Sequence, residues 1–149
     1  MEPIMASLAQ LCLAPALFFG GLATLHPNSA HVSDFDGAYV EVQSCPTGFG
    51  VHGFASSSGL IAGGIQYGLT FPLTDRTTLT VQPRFGVSHT MRHDVPELPM
   101  QTQFWTGAAV FLSHEGYHIG AMWGHASNAG LHEHNAGLDV VGGFVGVTL

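Results

Sequence analysis

The sequence predicts an all-β protein, a small antiparallel transmembrane β-barrel, and three observations predict it. Only 9% of the 149 residues are charged, against about 25% in ordinary soluble domains, which is too few to cover an aqueous surface. From Asp36 onward apolar residues recur with a period of two, and no segment carries a 3.6-residue stripe. Most alternating stretches approach the roughly 9–11 residues that a tilted strand needs to cross a bilayer, with apolar side chains out and small or polar ones in. A soluble sandwich or lipocalin-like cup would also alternate, but would carry more Lys and Glu outside; this chain has three Arg and no Lys.

Along the chain, Ile4 to Phe19 form an apolar run without acids or bases, followed by Gly20 and Gly21. Residues 1–30 are therefore expected to be an export signal or an apolar N-terminal segment, with cleavage framed by Gly21 and Ala23 or placed at Ala30. Glu2 stands where such signals carry Lys or Arg, so a start at Met5 or a retained anchor stays open. Residues 31–149 are assigned to the barrel. Strands are expected at 36–44 and 47–55. Then Ile61, Gly63, Ile65, Tyr67, Leu69 and Phe71 share one face of a third strand, and Leu79, Val81, Pro83, Phe85 and Val87 one face of a fourth. Pro72 to Arg76 make the turn between them. Further strands are expected at 101–113, 116–127 and 137–149, after a Pro-rich loop from His89 to Met100. That is seven, one short of the even number expected. Either Leu60 to His89 conceals a break or the N-terminal region supplies the eighth.

A net charge of −7 with three arginines leaves no basic stripe to neutralise phosphates and excludes nucleic acid as a partner. Two constellations compete as chemistry. His114-Glu115-Gly116-Tyr117-His118 has the letters of the zinc-protease motif H-E-x-x-H. That motif needs a helix to bring its histidines to one face; here Ser113 to Gly116 reads as a hairpin turn between two alternating runs.

The second constellation is His125-Ala126-Ser127-Asn128-Ala129-Gly130, followed by Asn135-Ala136-Gly137-Leu138-Asp139. Residues two apart on a strand share a face at ~6.8 Å, so the His125 imidazole can turn toward the Ser127 hydroxyl. If Ser127 pairs with Gly137, His125 falls opposite Asp139, where cross-strand Cβ atoms are ~4.5–5.5 Å apart. A base, a nucleophile and an orienting carboxylate are then within reach of one another. Oxyanion donors are expected from the backbone at Asn128, Ala129 and Gly130 and from the Asn135 amide. Tyr117, Ile119, Ala121, Trp123, His125 and Ser127 share the side expected to face lipid, where a polar group is costly unless it has a function.

At these residues the sequence resembles the lipid A 3-O-deacylases, the PagL family. His125, Ser127, Asn128, Ala129, Gly130, Asn135 and Gly137 match the family's His-x-Ser-Asn-Ala-Gly and Asn-x-Gly stretches. Asp139 stands where the family's acid is expected, as an aspartate where members carry glutamate. The resemblance covers roughly the last 25 residues. It implies an eight-stranded barrel in the bacterial outer membrane whose external serine removes the 3-O-linked hydroxyacyl chain of lipid A. Ser127 is then the nucleophile, His125 the base and Asp139 the acid, with no cofactor and no metal. Partners expected are lipid A or lipopolysaccharide and membrane lipid, and a homodimer is left open. A catalytically silent membrane barrel with a structural or binding role is the alternative, and a zinc hydrolase using His114 and His118 the third.

Overall fold

The computed structural model describes residues 14–25, 35–93, 101–129 and 137–149. Eight antiparallel strands close into a barrel in chain order: β1 (Ala16–Leu25), β2 (Gly37–Gln43), β3 (Gly48–Ser56), β4 (Leu60–Pro72), β5 (Thr77–Thr90), β6 (Thr102–His114), β7 (Tyr117–Ser127) and β8 (Leu138–Thr148). Pairing of β1 with β8, from Ala16↔Thr148 to Leu25↔Asp139, completes the ring and leaves no open edge.

The eighth strand is therefore β1, and it lies inside the segment expected to be an export signal. The barrel begins at Ala16 and not at residue 31, while Leu60 to His89 is two strands joined by one turn. The rest of that N-terminal segment, residues 1–13 and 26–30, lies outside the described residues. The alternation of β1 is hidden because, Thr24 apart, both of its faces are apolar. Leu17, Phe19, Gly21, Ala23 and Leu25 point outward, and Ala16, Phe18 and Leu22 are buried inside. Phe18 packs edge-on against Phe144 at 5.2 Å and Phe111 at 6.0 Å between ring centroids. Aromatics thus fill this part of the lumen, as a barrel too narrow for a channel requires, and a strand passing them needs no polar face.

A second buried set, with Tyr39, Phe54 and Trp105 in ring contact, is also aromatic, and between the two lies a polar cluster from β2, β4 and β5. The buried Arg84 guanidinium meets Glu41 through Nη2–Oε1 at 3.0 Å and Nη1–Oε2 at 3.1 Å. It also donates to Gln82 Oε1 from Nε and Nη2, at 3.0 and 2.8 Å. Gln66 and Gln82 each donate to Gln43 Oε1. This network ties β2, β4 and β5 across the interior, and bidentate geometry together with further hydrogen bonds offsets the cost of burying charge.

The outer wall is a band of exposed apolar side chains, among them Phe49, Val51, Ile65, Phe71, Phe85, Val87, Val110, Ile119 and Val145. Their period-two placement puts Gln82, Arg84 and Phe144 inside. The connections at 44–47, 73–76 and 115–116 are short and share one end, and the opposite end has the short turn 57–59 and the three longer connections, 26–36, 91–101 and 128–137. In outer-membrane barrels the short turns face the periplasm and the long loops the cell exterior.

Candidate active site

The hairpin of β7 and β8 brings the second constellation together. Its ladder runs from Tyr117↔Val147 to Ala126↔Leu138 and sets His125 directly opposite Asp139, the register expected from the Ser127–Gly137 alignment. His125 Nδ1 lies 3.1 Å from Asp139 Oδ1, with side chains 30% and 32% exposed. The pair is thus half-shielded on the outer wall. An imidazole N–H donated to a carboxylate fixes the ring's tautomer with Nε2 left free to accept a proton.

Ser127 is two residues beyond His125 on the same outer face and is half-buried. Among the described residues no hydrogen bond joins its hydroxyl to His125. Gly137, at the start of the returning strand, has φ +71°, the left-handed region that favours glycine. It also leaves room for the imidazole, because a Cβ there would stand 2.6 Å from His125 Cε1 and 3.1 Å from Nε2.

Asn128 is buried and Ala129 is exposed, with Ala129 at φ +52°, a backbone conformation uncommon for a residue with a Cβ. The chain therefore turns sharply off β7 immediately after the serine. Gly130 and Asn135, the other expected oxyanion donors, lie outside the described residues.

The surroundings are apolar. The β6 partners of His125 and Ser127 are Thr106 and Phe104, and the β1 partner of Asp139 is Leu25. Trp123, two residues before His125, is a neighbour that sequence reasoning missed. Its Nε1 donates to Asp139 Oδ1 at 3.1 Å, and its ring stacks with that of His125 at 6.4 Å and 20°. The register contained the clue: with Val141 opposite Trp123, Asp139 is its diagonal neighbour, within reach of a long aromatic side chain.

The H-E-x-x-H letters form no common site. His114 ends β6 on the exposed outer face and bonds Thr77 through Nδ1, whereas His118 is buried inside, between the hydroxyls of Ser113 and Thr148 at 2.8 and 2.9 Å. Glu115 and Gly116, with φ +49° and +85°, make the two-residue hairpin turn between them. The two imidazoles thus face opposite sides of the wall, and Glu115 pairs with Arg76 at 2.8 Å. Among the described residues no three His, Cys, Asp or Glu side chains converge on a metal position.

A family model described as lipid A 3-O-deacylase (PagL) matches residues 58–148, which include the whole constellation. No curated protein matches the chain. Among solved structures, the crystal structure of the outer membrane enzyme PagL is similar with a TM-score of 0.67 at 15% identity, covering 90% of this chain and 99% of that one. The Yersinia pestis outer membrane protein Ail, in a phospholipid bilayer nanodisc, follows with a TM-score of 0.46 at 14% identity, covering 91% of this chain and 99% of that one.

Proposed function

The chain belongs to the lipid A 3-O-deacylase (PagL) family, and on that premise we propose that it is an outer-membrane esterase that removes the 3-O-linked hydroxyacyl chain of lipid A. The observation that carries this reading is the His125–Asp139 contact beside Ser127, on the lipid-facing wall at the end bearing the long loops. A polar, hydrogen-bonded pair in such a place is costly unless it works there. It lies at the membrane interface on the exterior side, the height at which an outer-leaflet glycolipid presents the esters of its acyl chains. The apolar wall below the site, with Trp123, Val141 and Ala121 in line, is a surface along which an acyl chain can lie.

In the proposed reaction Ser127 Oγ attacks the ester carbonyl while His125 Nε2 takes the hydroxyl proton. Asp139 holds Nδ1–H and stabilises the imidazolium. The oxyanion donors in this reading are the backbone N–H groups of Asn128, Ala129 and Gly130 and the side-chain amide of Asn135. When the tetrahedral intermediate collapses, the bond from the carbonyl carbon to the sugar oxygen breaks and His125 returns its proton to that oxygen. Water, activated by His125, then attacks the acyl-enzyme, releasing the fatty acid and restoring Ser127. Ser127 and His125 share the outer face of β7 two residues apart, and catalytic hydrogen bonds commonly tighten only when substrate binds.

Mass spectrometry of lipid A from outer membranes with and without the protein tests this. Loss of one hydroxyacyl mass, abolished by Ser127→Ala, is expected. Unchanged lipid A with the folded wild-type barrel in the membrane would favour a silent structural or binding barrel instead.

A further inference from the structure

We infer that Trp123 is a positioning residue that acts through Asp139: its indole N–H locks the carboxylate in the orientation His125 requires. The inference rests on the esterase reading above and extends it to a side chain outside the Ser-His-Asp set.

A carboxylate held at one oxygen by a single donor can still turn about its Cβ–Cγ bond, a broad and weakly restricted torsion. Here two donors converge on the same atom. His125 Nδ1 and Trp123 Nε1 each lie 3.1 Å from Asp139 Oδ1. Both come from the outer face of β7, two residues apart, while Asp139 arrives from β8. One donor is directly across the ladder and the other on the diagonal, so the carboxylate is fixed by two different lines of approach. An indole nitrogen can only donate, and the acceptor that Trp123 Nε1 reaches is Asp139 Oδ1.

The same indole restrains the base. Its plane is 20° from that of the His125 ring, while Gly137 borders the imidazole at Cε1 and Nε2. The ring is thereby bounded by Trp123, Asp139 and Gly137. An aspartate is one methylene shorter than a glutamate and reaches less far toward its histidine, so a second anchor on its carboxylate matters more. The competing explanation is that Trp123 is an interfacial anchor like other tryptophans at membrane boundaries. An anchor needs the ring and the membrane, but not this acceptor.

Trp123→Phe separates the two, because it keeps an aromatic ring in the membrane and removes the N–H. Single-turnover and steady-state hydrolysis of purified lipid A in mixed micelles would be measured for the wild type, Trp123→Phe, Asp139→Asn and the double variant, each confirmed as a folded barrel. Trp123→Phe is expected to lower kcat about tenfold with KM unchanged, the loss typical of a hydrogen bond to a charged group. In the Asp139→Asn background the same substitution is expected to change the single-turnover rate less than twofold, because the acceptor it serves is already altered. A tenfold loss in both backgrounds, or a wild-type kcat in Trp123→Phe, would overturn the inference. Ser127→Ala distinguishes the levels. If it is inactive while Trp123→Phe is fully active, only the positioning role fails; if it retains wild-type turnover, Ser127 is not the nucleophile and the triad fails, the positioning role with it.

Discussion

Gly137 lies so close to the edge of His125 that a methyl group at its Cα would stand 2.6 Å from Cε1 of the imidazole. The base of the proposed triad therefore occupies space that only glycine leaves, at a position whose φ of +71° also disfavours any side chain. Gly137→Ala must either push the ring away from its contact with Asp139 or distort the start of β8. Misplacement of about 1 Å can cost on the order of 10² in rate. A kcat lower by about that factor is expected, in a barrel that still shows the gel mobility of the folded form. Wild-type turnover in Gly137→Ala would show that the imidazole has another place to stand.

Asp139 is expected to be indispensable as a carboxylate. Asp139→Asn keeps size and shape but presents an amide, and so favours the wrong histidine tautomer. By analogy with other triads kcat should fall by about 10⁴. Asp139→Glu should retain partial activity, because the longer arm must refit a site in which Trp123 and His125 already meet Oδ1. Full activity in Asp139→Asn would remove the acid from the mechanism and leave a Ser-His dyad.

Chelation separates the two histidine motifs. EDTA should leave ester hydrolysis intact, since His114 and His118 face opposite sides of the wall and a serine nucleophile needs no metal. His114→Ala should cost little, whereas His125→Ala should lower kcat by on the order of 10³ or more. Hydrolysis that is lost in EDTA and restored by zinc would reverse this assignment.

The lumen makes a prediction about stability alone. Arg84 and Glu41 are both buried and bonded at two points, so Arg84→Ala strands a carboxylate in the interior. Removing one partner of a buried pair typically costs about 3–5 kcal/mol. Urea titration of the barrel in detergent should show a loss of that size, and Arg84→Met combined with Glu41→Leu should recover most of it. Equal stability of the single variant and the wild type would mean that water or another side chain compensates Glu41.

What the sequence determined by itself was the material with a strict period: seven strands, the faces of residues 61–71, 79–87 and the final hairpin, and the pairing of His125 with Asp139. Alternation states the face directly, and one assumed pair sets every other pair in a hairpin. The turn at Glu115 and Gly116 was legible for the same reason, and with it the separation of His114 from His118. What only the tertiary structure decided was everything that depends on a partner distant in the chain. β1 looks like an uninterrupted apolar run until Phe111 and Phe144 are seen on its inner side, because hydropathy records that a residue is apolar and not which apolar surroundings it meets. The Glu41–Arg84 pair spans the lumen between strands that are not neighbours. The Trp123 contact depends on side-chain reach along a diagonal, which register permits but rotamers and packing decide.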